Sequence, residues 1–550
     1  MIVGHINTIQ KNNALMMSHQ NSSEKINLFM TSKLLFFVLL FISQFAHAND
    51  TIPQRPNIIY IMADDMGYSD IGCYGSEIKT PNLDKIAANG IKLRSFYNNA
   101  RCCPTRASLL TGQFPHTVGM GEMVSPETAP IQTGTYQGYL DPKYPTIAET
   151  LKANGYNTYM TGKWHVGERA QHWPLTRGFE HYFGLISGAS SYYEIIPQEI
   201  GKRHIVLDDK DYEIPKDSFY LTDAFTSYAI QYLNDQKKQH AANPFFLYLA
   251  YTAPHFPIHA YEQDIVKYEK LYAQGWDITR TNRYKKMIQL GLIDKRYQLT
   301  ARPAEIEDWD KVADKKQWVR KMAVYAAMID RMDQNIGRLI AALKANKQYD
   351  NTLIVFMSDN GGCAENVDGR NFNDKNVPIG AKGSYVTYDY PWANVSNTPF
   401  RKYKKFMHEG GMITPCIIQW PAKIKAKPGF NEGVGHVIDL LPTSLELAGV
   451  PINNLPGQSL SYLWNGKAKQ PETYFWEHVG NKAMRKGNWK LVKDVEDTAW
   501  ELYDMSTDMT ESNNLAKTNT SLLNEMIGEY EAWAKKNGVQ VFVKGKSKAD

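Results

Sequence analysis

The 550-residue chain reads as an α/β protein: a large mixed, mostly parallel sheet flanked by helices, then a small C-terminal α+β domain with an antiparallel sheet. Three observations predict this. Fully apolar runs of strand length recur up to about residue 450, as strands buried on both faces require. Segments with apolar residues at helical spacing stand between them, the alternation expected of an α/β fold. Beyond that point the texture changes to short aromatic runs, the pattern of antiparallel strands.

The elements follow in order. Leu34 to Ile42 (LLFFVLLFI) is a short apolar run, preceded by Lys33 and followed by Ala46-His47-Ala48, and reads as an export signal cleaved after Ala48. It falls short of the roughly 20 apolar residues that span a bilayer, so no stable membrane span is expected. Met30 opens a leader of ordinary shape, which marks residues 1–29 as an upstream extension. Export predicts a periplasmic or extracellular protein.

Pro56 to Ala63 (PNIIYIMA) predicts a buried strand that stops at Asp64-Asp65. Pro145 to Gly155 predicts a helix stopped by glycine, and Asn157 to Thr161 a strand ending in Gly162-Lys163-Trp164-His165. Pro244 to Tyr251 (PFFLYLAY) predicts a third strand, running into Ala253-Pro254-His255. Residues 259–320 are charged and aromatic and read as a helical insertion, a candidate lid. Met322 to Leu343 has helical spacing, and Leu353 to Met357 is a strand that ends at Asp359-Asn360. In the C-terminal part, Tyr474-Phe475-Trp476, Trp489 to Lys493 and Trp500 to Asp504 predict strands, and Ser521 to Lys535 a terminal helix. The predicted division is a leader region at 1–48, a catalytic domain at 49–449 and a smaller domain at 450–550.

Composition excludes several classes. At 43% hydrophobic and 22% charged, the chain is ordinary for a folded soluble protein. A net charge of +5 without basic-aromatic runs argues against nucleic-acid binding. Five cysteines (Cys73, Cys102, Cys103, Cys363 and Cys416) do not make a disulfide scaffold, and the sequence fixes no pairing among them.

The polar residues of interest repeatedly follow strands, where ligands bind in open α/β sheets. Asp64, Asp65, Asp359 and Asn360 offer only oxygen ligands, which suit Ca²⁺ or Mg²⁺ rather than zinc; Ca²⁺ is the favoured ion. Pro104 sits where a helix would begin, which places Cys102 at a helix N-terminus, a favourable position for an anion.

The stretch Cys102-Cys103-Pro104-Thr105-Arg106, continued by Ala107 to Gly112, fits C-x-P-x-R followed by x-x-x-L-T-G. It resembles the signature of the type I sulfatases, of the alkaline-phosphatase-like superfamily. PNIIYIMADDMGYSDIGCYG, TGKWHVG, APHFP, SDNGG and PFRKYKKFMHEGG follow the family's motif order. The resemblance implies hydrolysis of sulfate esters by a formylglycine made from Cys102, installed by a formylglycine-generating or radical maturation enzyme. It implies a metal held by Asp64, Asp65, Asp359 and Asn360, with modified Cys102 completing the shell. Arg106 would neutralise and orient the formylglycine. Lys163 and Lys404 would bind sulfate, His165 would help deprotonate the second hydroxyl of the hydrated aldehyde, and His255 would protonate the leaving oxygen. Lys405, beside Lys404, leaves that register open. Thr105 departs from the commoner Ser or Ala, and Cys103 is a second thiol next door.

The implied substrate is an aryl sulfate or, in nature, a sulfated carbohydrate, with specificity set by loops at 186–220, 259–320 and the C-terminal domain. Two other functions are compatible with parts of the pattern: a phosphoester or phosphonate hydrolase on the same fold, and a non-catalytic binder of sulfated glycans. Among the aromatics, Tyr192, Tyr193, Trp392, Trp476 and Trp489 are read as packing residues first and pocket candidates second. His116, His259, His408 and His436 are structural or rim candidates.

Overall fold

The computed structural model describes residues 55–196, 203–426, 428–467 and 473–542. The leader run and its cleavage point lie outside the described residues. Ten strands form the main sheet: β1 Asn57–Ala63, β2 Ile91–Tyr97, β3 Asn157–Gly162, β4 His181–Leu185, β5 Ile205–Leu207, β6 Lys210–Asp211, β7 Phe245–Ala250, β8 Thr352–Ser358, β9 Cys416–Gln419 and β10 Asn431–His436. Their order is β10-β2-β9-β8-β1-β7-β3-β4-β5-β6. The run from β8 through β1, β7 and β3 to β4 is parallel throughout. β9, β5 and β6 pair antiparallel with their neighbours, so the sheet is mixed but mostly parallel, as expected.

The apolar runs are strands because both faces of the sheet are covered. Along β1, Ile59, Ile61 and Ala63 join one buried cluster, with the helices Leu221–Gln239 and Lys315–Ala345. Ile58, Tyr60 and Met62 point into the other, with the helices Cys102–Thr111, Ile147–Ala153 and Leu440–Ala448. Each fully buried large apolar side chain contributes about 1.5–3 kcal/mol, so neither face tolerates a charge. In the central strands β1, β3, β7 and β8, charged residues therefore appear only beyond the strand ends.

The region 259–320 is helical, as read from the sequence, with helices Glu262–Tyr272 and Gly275–Gln289. Tyr268, Tyr272 and Trp276 turn inward, and Trp276 packs edge-on against Trp392 at 5.7 Å.

The C-terminal sheet is antiparallel, in the order β11 Thr473–His478, β12 Asn481–Lys486, β13 Trp489–Lys493, β14 Glu501–Asp504. Its core joins Trp476, Met484, Leu491 and Leu502 with Tyr530 and Trp533 of the terminal helix Thr520–Lys536, and with Tyr97 and Met412 from the large sheet's side. Lys490 Nζ, fully buried, bonds Glu409 at 2.6 Å and Glu511 at 2.7 Å. No helix among the described residues is long and apolar enough to cross a membrane.

A second ionic network joins the two sheets. Buried His408 reaches Asp494 at 3.2 Å and Glu501 at 2.8 Å, while Lys402 and Arg401 take the other sides of those acids at 2.9 and 2.7 Å. Burial alone would depress His408, but Glu511, Asp494 and Glu501 hold it above the ordinary histidine value. Asp494 and Glu501 are each pulled down to about 2; burial opposes this, and bonding to His408 is the largest of the lowering causes. A raised histidine stabilises fully below about pH 6.5 and loses that contribution as pH rises through its folded value. The lowered acids stabilise fully above about pH 4 and lose it as pH falls toward 2. The expected result is a melting temperature that declines on the alkaline side of about pH 6.5. His408→Gln should flatten that limb; an unchanged alkaline slope in the variant removes His408 from the account.

Candidate active site

Strands β8, β1, β7 and β3 lie side by side and end at the same edge of the sheet. β8 runs into Asp359-Asn360, β1 into Asp64-Asp65, β3 into Lys163 and His165, and β7 into the loop holding His255. Gly162 allows β3 to finish against β7: its φ is +114°, and an added Cβ would lie 1.8 Å from the Ala250 carbonyl oxygen. The next amide, Lys163 N–H, donates to that oxygen at 2.7 Å. Asp65 and His165 both hold left-handed backbone, φ 64° and 56°, a costly state for non-glycine residues that clusters at functional sites.

Cys102 is the first residue of the helix Cys102–Thr111, which is capped by extended Arg101 and stopped by left-handed Gly112. The side chain is 2% exposed. One turn on, Arg106 sends Nε and a terminal nitrogen to Asp359 Oδ2 at 3.1 and 2.7 Å, and its other nitrogen to the Lys163 carbonyl at 2.9 Å. Lys163 Nζ bonds Asp64 Oδ2 at 2.7 Å. Lys404 Nζ lies 2.8 and 2.9 Å from the two oxygens of Asp65 and 3.3 Å from His255 Nε2. Asn360 Nδ2 donates to Asp65 Oδ1 at 2.7 Å. The thiols of Cys102 and Cys103 and a ring nitrogen of His165 lie within 4.8 Å of one another, as do ligand atoms of Asp64, Asp65 and His255.

All ten residues singled out from the sequence therefore stand in one connected cluster. Lys404, not Lys405, is the buried lysine that meets Asp65; Lys405 is half-exposed and holds a left-handed turn with φ 86°.

The electrostatics explain what the cluster can hold. Three carboxylates and an amide, each at most 1% exposed, face one another. Burial and then the charge of Asp359 push Asp64 well above the usual carboxylate range, with Lys163 and Arg106 opposing. Asp64 Oδ1 and Asn360 Oδ1 are buried with no hydrogen-bond partner. Unpaired buried oxygens next to anionic ones fit a hard divalent cation, which takes oxygen ligands. Burial, with Lys404 and then Lys163 adding, holds His255 well below the ordinary histidine value. Burial likewise lowers His165 to about 4. The Cys102 thiol is shifted well below its ordinary value, first by the hydrogen bond from Cys103, with Lys163, His165 and Lys404 adding and burial opposing.

A cavity of about 480 Å³ opens beside Cys102, His165, His255 and Lys404. Its aromatic lining is Phe256, Phe372 and Tyr385 rather than any of the five aromatics singled out from the sequence; of those, Tyr192, Trp392 and Trp476 are core residues. No residue of 259–320 lines it, so the insertion is not its lid: helix Glu262–Tyr272 instead packs on the helix Lys315–Ala345. Of the loops expected to set specificity, 186–220 contributes Ser187, Gly188, Ala189 and Arg203, and no described residue of the C-terminal domain lines this cavity. His116, His259, His408 and His436 make structural bonds, for example His116 to Glu477 at 2.7 Å and His259 to the Ser384 carbonyl at 2.7 Å. All five cysteines are free. The pair Arg101–Glu365, 2.5 Å apart at the cavity wall, carries no sequence signal, since both residues sit in aperiodic loops.

Comparison with known proteins gives a consistent result. Residues 56–450 match the Sulfatase family, and residues 400–533 match the family described as N-sulphoglucosamine sulphohydrolase, C-terminal. An uncharacterized sulfatase of Schizosaccharomyces pombe is 34% identical over 88% of this chain and 94% of its own length. An arylsulfatase of Klebsiella aerogenes is 34% identical over 73% of this chain and 88% of its own. The crystal structure of Ps i-CgsB, also solved in complex with k-i-k-neocarrahexaose, is 28% identical with a TM-score of 0.66, covering 88% of this chain and 94% of that one.

Proposed function

Because this chain belongs to the sulfatase family and is a sulfuric ester hydrolase, we propose that it removes sulfate from sulfated carbohydrate, using an aldehyde made from Cys102 and a bound divalent cation. The observation that carries this reading is one connected cluster of Cys102, two buried lysines, two histidines and an all-oxygen donor set, of which Cys102, His165, His255 and Lys404 line a 480 Å³ cavity. The carbohydrate assignment is supported by similarity to an N-acetylglucosamine-6-O-sulfatase of Bacteroides thetaiotaomicron, 28% identical over 84% of this chain, and by the oligosaccharide complex of Ps i-CgsB.

Position 102 would carry the formylglycine, which as its hydrate would supply the nucleophilic oxygen, and Asp64, Asp65, Asp359 and Asn360 would hold Ca²⁺, which would supply positive charge beside it. The chain's own residues do the rest. Lys163 and Lys404 bring two buried ammonium groups to the sulfate and stabilise its redistributing charge, the preorganised electrostatics that dominate many enzymes. Arg106 locks Asp359 and the Lys163 backbone in place. His255, held neutral in the free site by burial and then by Lys404, would take a proton from solvent through the cavity when the anionic ester binds, and give that proton to the leaving oxygen. His165, held neutral by burial with Lys163 adding, would accept the proton from the second hydroxyl at position 102. The leader at 34–48 supports export to the periplasm or beyond, checked by N-terminal sequencing for a start near Asn49.

The test is turnover of nitrophenyl sulfate against nitrophenyl phosphate by matured, purified enzyme. The sulfate should be preferred by about 100-fold or more in kcat/KM, the factor that about 2.7 kcal/mol of transition-state discrimination supplies. Equal turnover, or a preference for phosphate, moves the chain to the phosphoester reading.

A further inference from the structure

Besides Arg101, which is paired with Glu365, the cavity beside Cys102 is lined by two arginines that the chemistry above does not use. Arg203 lines it and is only 9% exposed, yet it forms no ion pair among the described residues, and its Nε is buried without a hydrogen-bond partner. Glu168 is the acid near it, but that carboxylate accepts from Ser187 Oγ at 3.0 Å. Arg370 lines the same cavity, is exposed, and also lacks an ion pair among the described residues. The Tyr385 hydroxyl is buried beside both guanidinium groups and is their shared polar neighbour. Two guanidinium groups thus face one space, and neither has an ion-pair partner among the described residues.

A buried guanidinium without a counter-ion is costly, because desolvation is not repaid by pairing. Arginine also presents a planar fork suited to two oxygens of one anion. The scissile sulfate is accounted for elsewhere, at Lys163 and Lys404. We propose that Arg203, Arg370 and the Tyr385 hydroxyl form a second anion subsite that binds a further acidic group, sulfate or carboxylate, on the same glycan. This rests on the reading of the chain as a carbohydrate sulfatase and narrows its substrate to glycans carrying at least two acidic groups. Small mono-anionic esters are then poor substrates, because half of the recognition is unused.

The experiment is competition against nitrophenyl sulfate turnover by three heparin tetrasaccharides: the parent, the carboxyl-reduced form, and the form with N-sulfates replaced by acetyl. Wild type should bind the parent about tenfold or more tightly than one of the two altered forms, the effect of one charge-assisted contact. Loss on reduction assigns the group as carboxylate; loss on N-desulfation assigns it as sulfate. In Arg203→Met and Arg370→Met the preference should collapse toward unity, while Lys238→Met, an exposed control at the opposite end of the sheet, should keep it. Arg370 is at the surface, so its variant folds even if Arg203→Met does not. No preference in wild type, or a preference kept in Arg370→Met and in folded Arg203→Met, overturns the subsite. Absence of any nitrophenyl sulfate turnover instead overturns the hydrolase mechanism, and the subsite is then read by calorimetric binding of the same tetrasaccharides.

Discussion

Cys102→Ala abolishes turnover of sulfate esters, by at least about 10⁴-fold, the scale on which loss of a covalent nucleophile is felt. The fold should survive. Cys102 is small, sits in the first turn of its helix, and its side chain is not among the ion pairs that hold the site together. Removing one buried sulfur costs about 1 kcal/mol, the centre of the distribution for single substitutions. Cys102→Ser should be equally inactive where the maturation machinery converts only cysteine. Cys103→Ala separates the two neighbouring thiols: it removes the hydrogen bond to Cys102 and the 3.4 Å contact with His165 Nε2 but leaves position 102 free to be oxidised, so activity should remain within about tenfold of wild type. A Cys103 variant as inactive as Cys102→Ala assigns the nucleophile wrongly.

Chelation of divalent cations is the second large effect. Here each buried carboxylate already has one cationic partner: Asp64 has Lys163, Asp65 has Lys404, Asp359 has Arg106. A divalent ion at Asp64 Oδ1 and Asn360 Oδ1 would add two positive charges to a site that is otherwise balanced, and a bound sulfate ester, a monoanion, would offset one of them. Cation and substrate should therefore bind cooperatively, each raising the other's affinity by the same factor. The expected results are a loss of turnover of about 100-fold or more on chelation, recovery on adding Ca²⁺, and a rise in melting temperature with Ca²⁺ that grows when inorganic sulfate is present. In Asp359→Asn, Arg106 keeps its shape-matched neighbour but loses its nearest charge partner and retains only Asp64 at 3.7 Å, a change that costs up to about 3–5 kcal/mol. Its melting temperature should fall and no longer respond to Ca²⁺. Full activity after exhaustive chelation contradicts the cation's role.

Much of this site can be read from sequence for a physical reason. Strands buried on both faces must be apolar, so Asp64-Asp65, Asp359-Asn360 and Lys163 stand out as the first polar groups after such runs. Parallel pairing then brings their ends to one edge. The register of Lys404 over Lys405 could not be read that way, because both lie in one irregular loop; burial and the Asp65 contact decide it. The lid reading of 259–320 fails because charged and aromatic composition describes equally a helix pair with its aromatics turned into the core, as Tyr268 and Trp276 are. Strand β12 (NKAMRK) has no apolar run; it is a strand because β11 and β13 pair with it on either side. Arg203, Arg370 and Tyr385 are equally silent in sequence, since loop residues carry no period and their meeting is made by tertiary structure alone.

The most direct measurement is peptide mass spectrometry of residue 102 in protein from an exporting, maturation-competent host, with carbonyl trapping and a parallel assay. The account predicts a sulfur-free, carbonyl-bearing residue at position 102, in a fraction that tracks specific activity across preparations. A fully active preparation in which residue 102 is quantitatively an unmodified thiol contradicts it.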